Sequence, residues 1–247
     1  MRSLAMLAIL MAVTSCAVAD RASASRADAG ADLDAASGIY DAAPRLDAMR
    51  DAAAPDTHVP TPVTLTQVSS NTLATTSLGC VTGTDTSQQA YYRVFDLAAM
   101  GVTGSLALSS VAFGVQSASG TQALAVRVGV YNAVPGAALN TGPTDWGGGD
   151  ITPLAAAAST VNASANGMII TVPIAVTVPQ GARLIVEIAS PDDSAKSYSS
   201  FFLAASSGSE TASGYFWAPG CGIAAPGTPA SLGQGIVPFL ITATGSY

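Results

Sequence analysis

The chain reads as an all-β protein: an antiparallel, jelly-roll-like β-sandwich over residues 61–247, behind a signal peptide and a disordered tether. Three observations predict it. Apolar residues alternate with period two in stretch after stretch, which places every second side chain on one face of an extended strand. Clusters of Gly, Ser and Pro separate these stretches and supply the turns. Helical periodicity is confined to LAAM at 97–100, one turn at most. Strands without helices must bury their apolar faces against one another, as two packed sheets do.

Residues 1–15 have the form of a secretory signal, with Arg2 as its positive start. The apolar stretch LAMLAILMAV that follows is too short to span a bilayer. The leader runs into VTSCAVAD, residues 13–20, which can be cut in two ways. Val13-Thr14-Ser15-Cys16 resembles the lipobox of bacterial lipoproteins. That resemblance implies cleavage before Cys16 and a lipid on Cys16. Ala17 after the cysteine in place of an aspartate implies sorting to the outer membrane. Ala17-Val18-Ala19 also reads as an ordinary small-residue site, and cleavage after Ala19 would release the protein. No later segment reaches the ~18 uninterrupted apolar residues of a membrane helix. The expected membrane partner is therefore the lipid alone.

Residues 16–60 are expected to form a disordered tether rich in Ala and Asp. Eight aspartates, four arginines and a single aromatic, Tyr40, cannot bury enough apolar surface to offset the entropy of ordering. As a coil the tether would span about 35–40 Å, a useful reach behind a lipidated cysteine. The net charge of −7 is shared evenly, with four basic against eight acidic side chains in the tether and again in the domain. No basic patch exists, which excludes nucleic acid as a partner.

Within 61–247, strands are expected at VTLTQVS (63–69), YYRVFDL (91–97), SLALSSVAFGV (105–115), ALAVRVGVY (123–131), MIITVPIAVTV (168–178) and ARLIVEI (182–188). Others are expected at SSFFLAA (199–205), ASGYFW (212–217) and GIVPFLITAT (235–244). In ALAVRVGVY, Leu124, Val126, Val128 and Val130 share one face, while Ala125, Arg127, Gly129 and Tyr131 share the other. In SLALSSVAFGV the apolar phase slips between Leu108 and Val111, the mark of a bulge. Pro173 and Pro238 each remove a ladder donor, so their strands should be edges or bend there. VPQG at 178–181 has the residues of a type I turn and is read as closing a hairpin.

Cys80 and Cys221 are the only cysteines beyond the leader, and a secreted pair is expected to be bonded. Closing a loop of about 140 residues would stabilise by roughly 5 kcal/mol on the chain-entropy model. The series YYRVFDLAAMGV, SVAFGV, VRVGVY, VPQGARLIVEI, FF and APGCGI resembles a β-sandwich accessory domain of secreted bacterial surface proteins. The resemblance covers about residues 63–247 and implies an extracellular, non-catalytic domain, without transferring any binding residue.

The chemistry that is missing is as informative. The only histidine, His58, lies in the tether, so histidine-based triads and histidine-ligated metals are excluded from the domain. Ser194 and Lys196 share an exposed loop, where no apolar cover would keep the lysine neutral as a base. The acids sit mostly in solvated turns. Glu187 is expected to pair with Arg127 or Arg183 on a wet sheet face, and Arg93 with Asp96 at a strand end. No group is then expected to exchange protons near neutrality, and no catalytic, cofactor or metal residue is assigned.

Two places could hold a ligand. In TDWGGGD, Asp145 and Asp150 flank a glycine run, but calcium wants six to eight oxygens and two carboxylates fall short. In GYFWAPGCG, Tyr215 and Trp217 share a face opposite Phe216. Pointing outward, the pair would offer, with Trp146, a flat platform for a sugar ring; turned the other way, both rings would cover the disulfide and the end of the sandwich. The expected function is a non-enzymatic, lipid-anchored envelope protein whose sandwich binds a protein or glycan partner or serves structurally. A carbohydrate-binding module on those aromatics is the first alternative, and a hydrolase with a histidine-free site the second.

Overall fold

The computed structural model describes residues 59–82, 85–140, 146–193 and 198–247. The chain divides into two units, Met1–Pro55 and Asp56–Tyr247, and every described residue belongs to the second. The signal peptide, the lipobox with Cys16, the tether up to His58, Asp145, Ser194 and Lys196 lie outside the described residues.

The fold is an antiparallel β-sandwich. Its strands are β1 (Pro62–Leu65), β2 (Leu73–Leu78), β3 (Val81–Thr82), β4 (Asp85–Thr86), β5 (Gln89–Asp96), β6 (Leu106–Ser119) and β7 (Thr121–Tyr131). They continue with β8 (Ile151–Asn162), β9 (Met168–Val178), β10 (Arg183–Ser190), β11 (Ser200–Ser206), β12 (Tyr215–Ala218), β13 (Ile223–Gly227) and β14 (Ile241–Ser246). One sheet runs β1-β14-β6-β11-β2, with β9 on the other side of β6; the second runs β13-β12-β5-β10-β7-β8. From β8 to β12 each successive strand changes sheet, the crossing pattern of a jelly-roll-like sandwich.

The inward residues are those the alternation marks. Leu124, Val126 and Val128 of β7, Val172, Ile174 and Val178 of β9, and Leu184, Val186 and Ile188 of β10 are buried in one core between the sheets. Tyr91 anchors it, edge-on to Phe201 at 6.1 Å and Phe239 at 5.2 Å. Burying each such side chain contributes about 1.5–3 kcal/mol.

The slip in β6 is a bulge at Ser109. Its pairing with β14 passes from Ser110↔Thr244 to Leu108↔Gly245, so Ser109 has no opposite. Two inward runs, Leu106–Leu108 and Val111–Val115, are thereby kept on one face. Pro173 stands where the β6–β9 ladder breaks, on a strand whose only ladder partner is β6. Pro238 precedes β14, and its carbonyl accepts from Ser206 N at 2.8 Å.

Two expectations need correction. VPQG makes a turn, with Ala182 N donating to Pro179 O at 3.2 Å, but it closes no hairpin. The β9 strand pairs with β6 and β10 with β5 and β7, so the turn carries the chain from one sheet to the other. Turn chemistry fixes a reversal of direction; it does not say whether the partner lies beside or across. The other correction is to the strand list: β2, β3, β4, β8 and β13 are not among the expected strands, and the longest of them is β8 at ITPLAAAASTVN. Its alanines give little contrast between faces, and Pro153 sits at a register shift against β7.

Cys80 and Cys221 are bonded, with Cα atoms 5.9 Å apart across 141 residues of sequence. Buried Gln89 fixes the Cys80 end: its Oε1 accepts from Cys80 N at 2.6 Å and its Nε2 donates to Phe201 O at 2.7 Å.

Candidate functional site

The outward face of the second sheet carries the polar chemistry. Register aligns Tyr215, Tyr92, Glu187, Arg127 and Ala156 in one row across β12, β5, β10, β7 and β8. The next row is Trp217, Ala90, Ala189, Ala125 and Ala158. The middle of this face is covered, while Ala156 and Ala158 at its β8 edge stay exposed. Leu139 and Ile151 join Ala90, Tyr92, Tyr131, Ile185, Ala189 and Trp217 in a second buried cluster. Leu139 and Trp146, between β7 and β8, supply the cover. Gly129 lets it close down: a Cβ there would stand 2.8 Å from the Trp146 ring and 2.7 Å from Thr152 O.

Glu187 is the residue this cover changes most. It pairs with Arg127, Nη1 to Oε2 at 3.1 Å, one of the two partners expected for it. The expected solvation is absent, because the residue is 0% exposed. Desolvation raises its pKa to about 7, against the pull of Arg127 and of the Tyr92 and Trp146 donors that face it. Oε1 and the Trp146 N–H nevertheless close no hydrogen bond of normal geometry. Burial thus pushes Glu187 towards neutrality, where the sequence leads one to expect no such group. The sequence marked Glu187 as facing away from the core; it did not show that a loop would fold over it.

Arg93 does not pair with Asp96. Residues three apart on a strand point to opposite faces. Arg93 points inward, fully buried, and its Nη2 meets Glu210 Oε2 at 3.0 Å. It also donates to the carbonyls of Phe239, at 2.7 and 3.1 Å, and of Ala212. Asp96 caps the LAAM turn, accepting from Ala99 N at 3.0 Å.

The three platform aromatics do not form one surface. Phe216 enters the core, as alternation requires. Trp217 lies on the outer face but is buried, and its Nε1 donates to Ala224 O at 3.1 Å across the β12–β13 hairpin. Trp146 is half-buried under the cover. Tyr215 is also half-buried, and it borders a depression of about 260 Å³. Gln67, Val94, Asp96, Tyr131 and Arg183 also line that depression, with residues 135–137 and 212–213 as walls.

Within it, the Arg183 guanidinium lies 4.7 Å above the Tyr131 ring. Tyr131 donates to Ala138 O at 3.1 Å. Burial, then nearby Tyr215 and Asp150, push its pKa up, while Arg183 pulls it down. Asp96, Arg183, Tyr131 and Gln67 were not singled out from the sequence as ligand residues. A usable signal existed: Tyr131 alternates onto the non-core face, and Arg183 opens its strand.

Other places offer less. Asp150 is half-buried, and among the described residues no three His, Cys, Asp or Glu side chains gather as a metal site. A larger depression of about 770 Å³ on the first sheet, lined by residues that include Asn71, Thr75, Gln116 and Ile169, carries no ionisable group. Among the described residues no helix is long and apolar enough to cross a membrane.

No protein-family model matches this chain, and no curated protein matches it. Among solved structures it is similar to the cysteine protease and lectin-like domains of Cwp84, a surface layer associated protein of Clostridium difficile. The two are 20% identical with a TM-score of 0.44, over 65% of this chain and 32% of that one. This chain therefore spans about a third of the structure it resembles.

Proposed function

We propose that this is a non-enzymatic, lipid-anchored protein of the bacterial cell envelope, held at the outer membrane through Cys16, whose sandwich is a binding module. Its contact surface is the depression beside Tyr215. One observation carries the reading. Of the domain's three arginines, Arg93 is committed to Glu210 and Arg127 to Glu187, which leaves Arg183 presented at an aromatic-lined hollow with Asp96 as neighbour. Charged and aromatic side chains that converge on one hollow are what recognition uses.

A second reading, a hydrolase, draws on Glu187, since an acid with pKa near 7 is the mark of a general acid. Glu187 is sealed from solvent, however, and the groups acting on it are Arg127, Tyr92 and Trp146, none a second carboxylate. Glycoside hydrolysis needs that second carboxylate and a path for substrate.

Two measurements test the proposal. Labelling by a clickable palmitate analogue should be lost in Cys16→Ser, and unchanged labelling contradicts the anchor. A photo-crosslinking residue at Ser213, on the rim of the depression, should form adducts in intact cells. The same residue at Thr75, on the other sheet, should not; equal yields at both positions contradict the contact surface.

A further inference from the structure

We infer that the depression is a saccharide subsite: one neutral pyranose ring lies against Tyr215 while Asp96 and Arg183 read its neighbouring hydroxyls. The inference rests on the binding-module reading above. A sugar hydroxyl both donates and accepts, so vicinal hydroxyls are matched by a wall that offers an acceptor and fixed donors side by side. Asp96 and Arg183 are register partners on β5 and β10, so they leave the sheet as neighbours. They do not neutralise each other: the ion pairs among the described residues are Arg93–Glu210 and Arg127–Glu187.

Each is held apart by its own contact. Asp96 spends Oδ1 on Ala99 N, which leaves Oδ2 as an acceptor. Arg183 is stacked on Tyr131, which orients its planar fork and leaves its N–H donors at the edge. With one charge of each sign on its wall, the hollow matches a neutral ligand that both donates and accepts better than it matches a lone anion or cation. Tyr215 adds an aromatic surface for the C–H face of a ring. The volume of about 260 Å³ falls below the ~300–1,000 Å³ of drug-sized pockets and suits one ring of a longer chain.

The test is calorimetric titration of the purified full chain with cellohexaose, xylohexaose and chitohexaose, and with hexagalacturonate as the acidic counterpart. At least one neutral hexamer should bind, more tightly than hexagalacturonate. Tyr215→Ala, Arg183→Gln and Asp96→Asn should each weaken it about tenfold or more, since each leaves a hydroxyl or ring face unmatched. Asp96→Asn keeps an oxygen to cap Ala99, and circular dichroism confirms that each variant is folded. Trp217→Phe should leave affinity unchanged. Binding of hexagalacturonate alone, binding indifferent to all three variants, or no binding of any neutral hexamer overturns the inference. Adducts at Ser213 together with silence toward every saccharide would overturn the ligand class and leave the binding module standing.

Discussion

The two ion pairs among the described residues bury opposite partners. In Arg93–Glu210 the cation is the enclosed member, at 0% side-chain exposure against 10% for the acid. In Arg127–Glu187 the acid is enclosed, at 0% against 31% for the cation. Arg93 is surrounded by carbonyl oxygens of Phe239 and Ala212 and can stay charged although burial lowers its pKa, with Glu210 pulling it back up. Glu187 meets Arg127 at Oε2 while its Oε1 closes no hydrogen bond of normal geometry, and its pKa climbs to about 7. An enclosed charge keeps its ionisation when its partners match it fully, and gives way when they match it in part.

The largest effect should come from breaking the better-satisfied pair. Arg93→Ala strands the Phe239 and Ala212 carbonyls inside the sandwich and should cost about 3–5 kcal/mol, read as the shift in denaturant midpoint. A loss under about 1 kcal/mol would mean those carbonyls find water.

The Glu187 pair should show itself through pH. Its folded pKa, about 7, lies above its ordinary 4.5, so its contribution is fully present below about 4.5 and is lost as pH rises through about 7. Stability should therefore fall between pH 5 and pH 8, on the order of 1–3 kcal/mol. Glu187→Gln should flatten that slope. An unchanged slope would show that another group sets it.

Loosening the cover should act more mildly. Gly129→Ala drives a Cβ into Trp146 and Thr152 O and should cost about 1–3 kcal/mol. Red-shifted tryptophan emission would report Trp146 leaving the sheet, and with solvent admitted the Glu187 slope should shrink.

These pairs also show what a linear sequence can carry. Alternation exposed the faces of β7, β9 and β10, and the phase slip located the Ser109 bulge, because both are local consequences of a two-residue period. The β8 strand was invisible because alanine contributes too little contrast to mark an inside. Glu187 was assigned to its correct face and given Arg127 among its partners, since both facts follow from strand phase. Its burial was hidden because the cover rests on scattered residues such as Leu139 and Trp146, with no periodicity between β7 and β8. Arg93 was matched to the nearest acid in sequence, while its partner Glu210 lies 117 residues away. Tyr215 was legible as outward-facing; the hollow beside it, assembled from β5, β7, β10 and two loops, was not.

We propose that this domain holds a ligand without transforming it, Glu187, the acid raised to about 7, being fully enclosed. Mass spectrometry of the saccharide panel after prolonged incubation with the full chain, from pH 5 to pH 8, tests that claim most directly. The account predicts every oligosaccharide recovered at its starting mass. Shortened products that vanish in Glu187→Gln would contradict it.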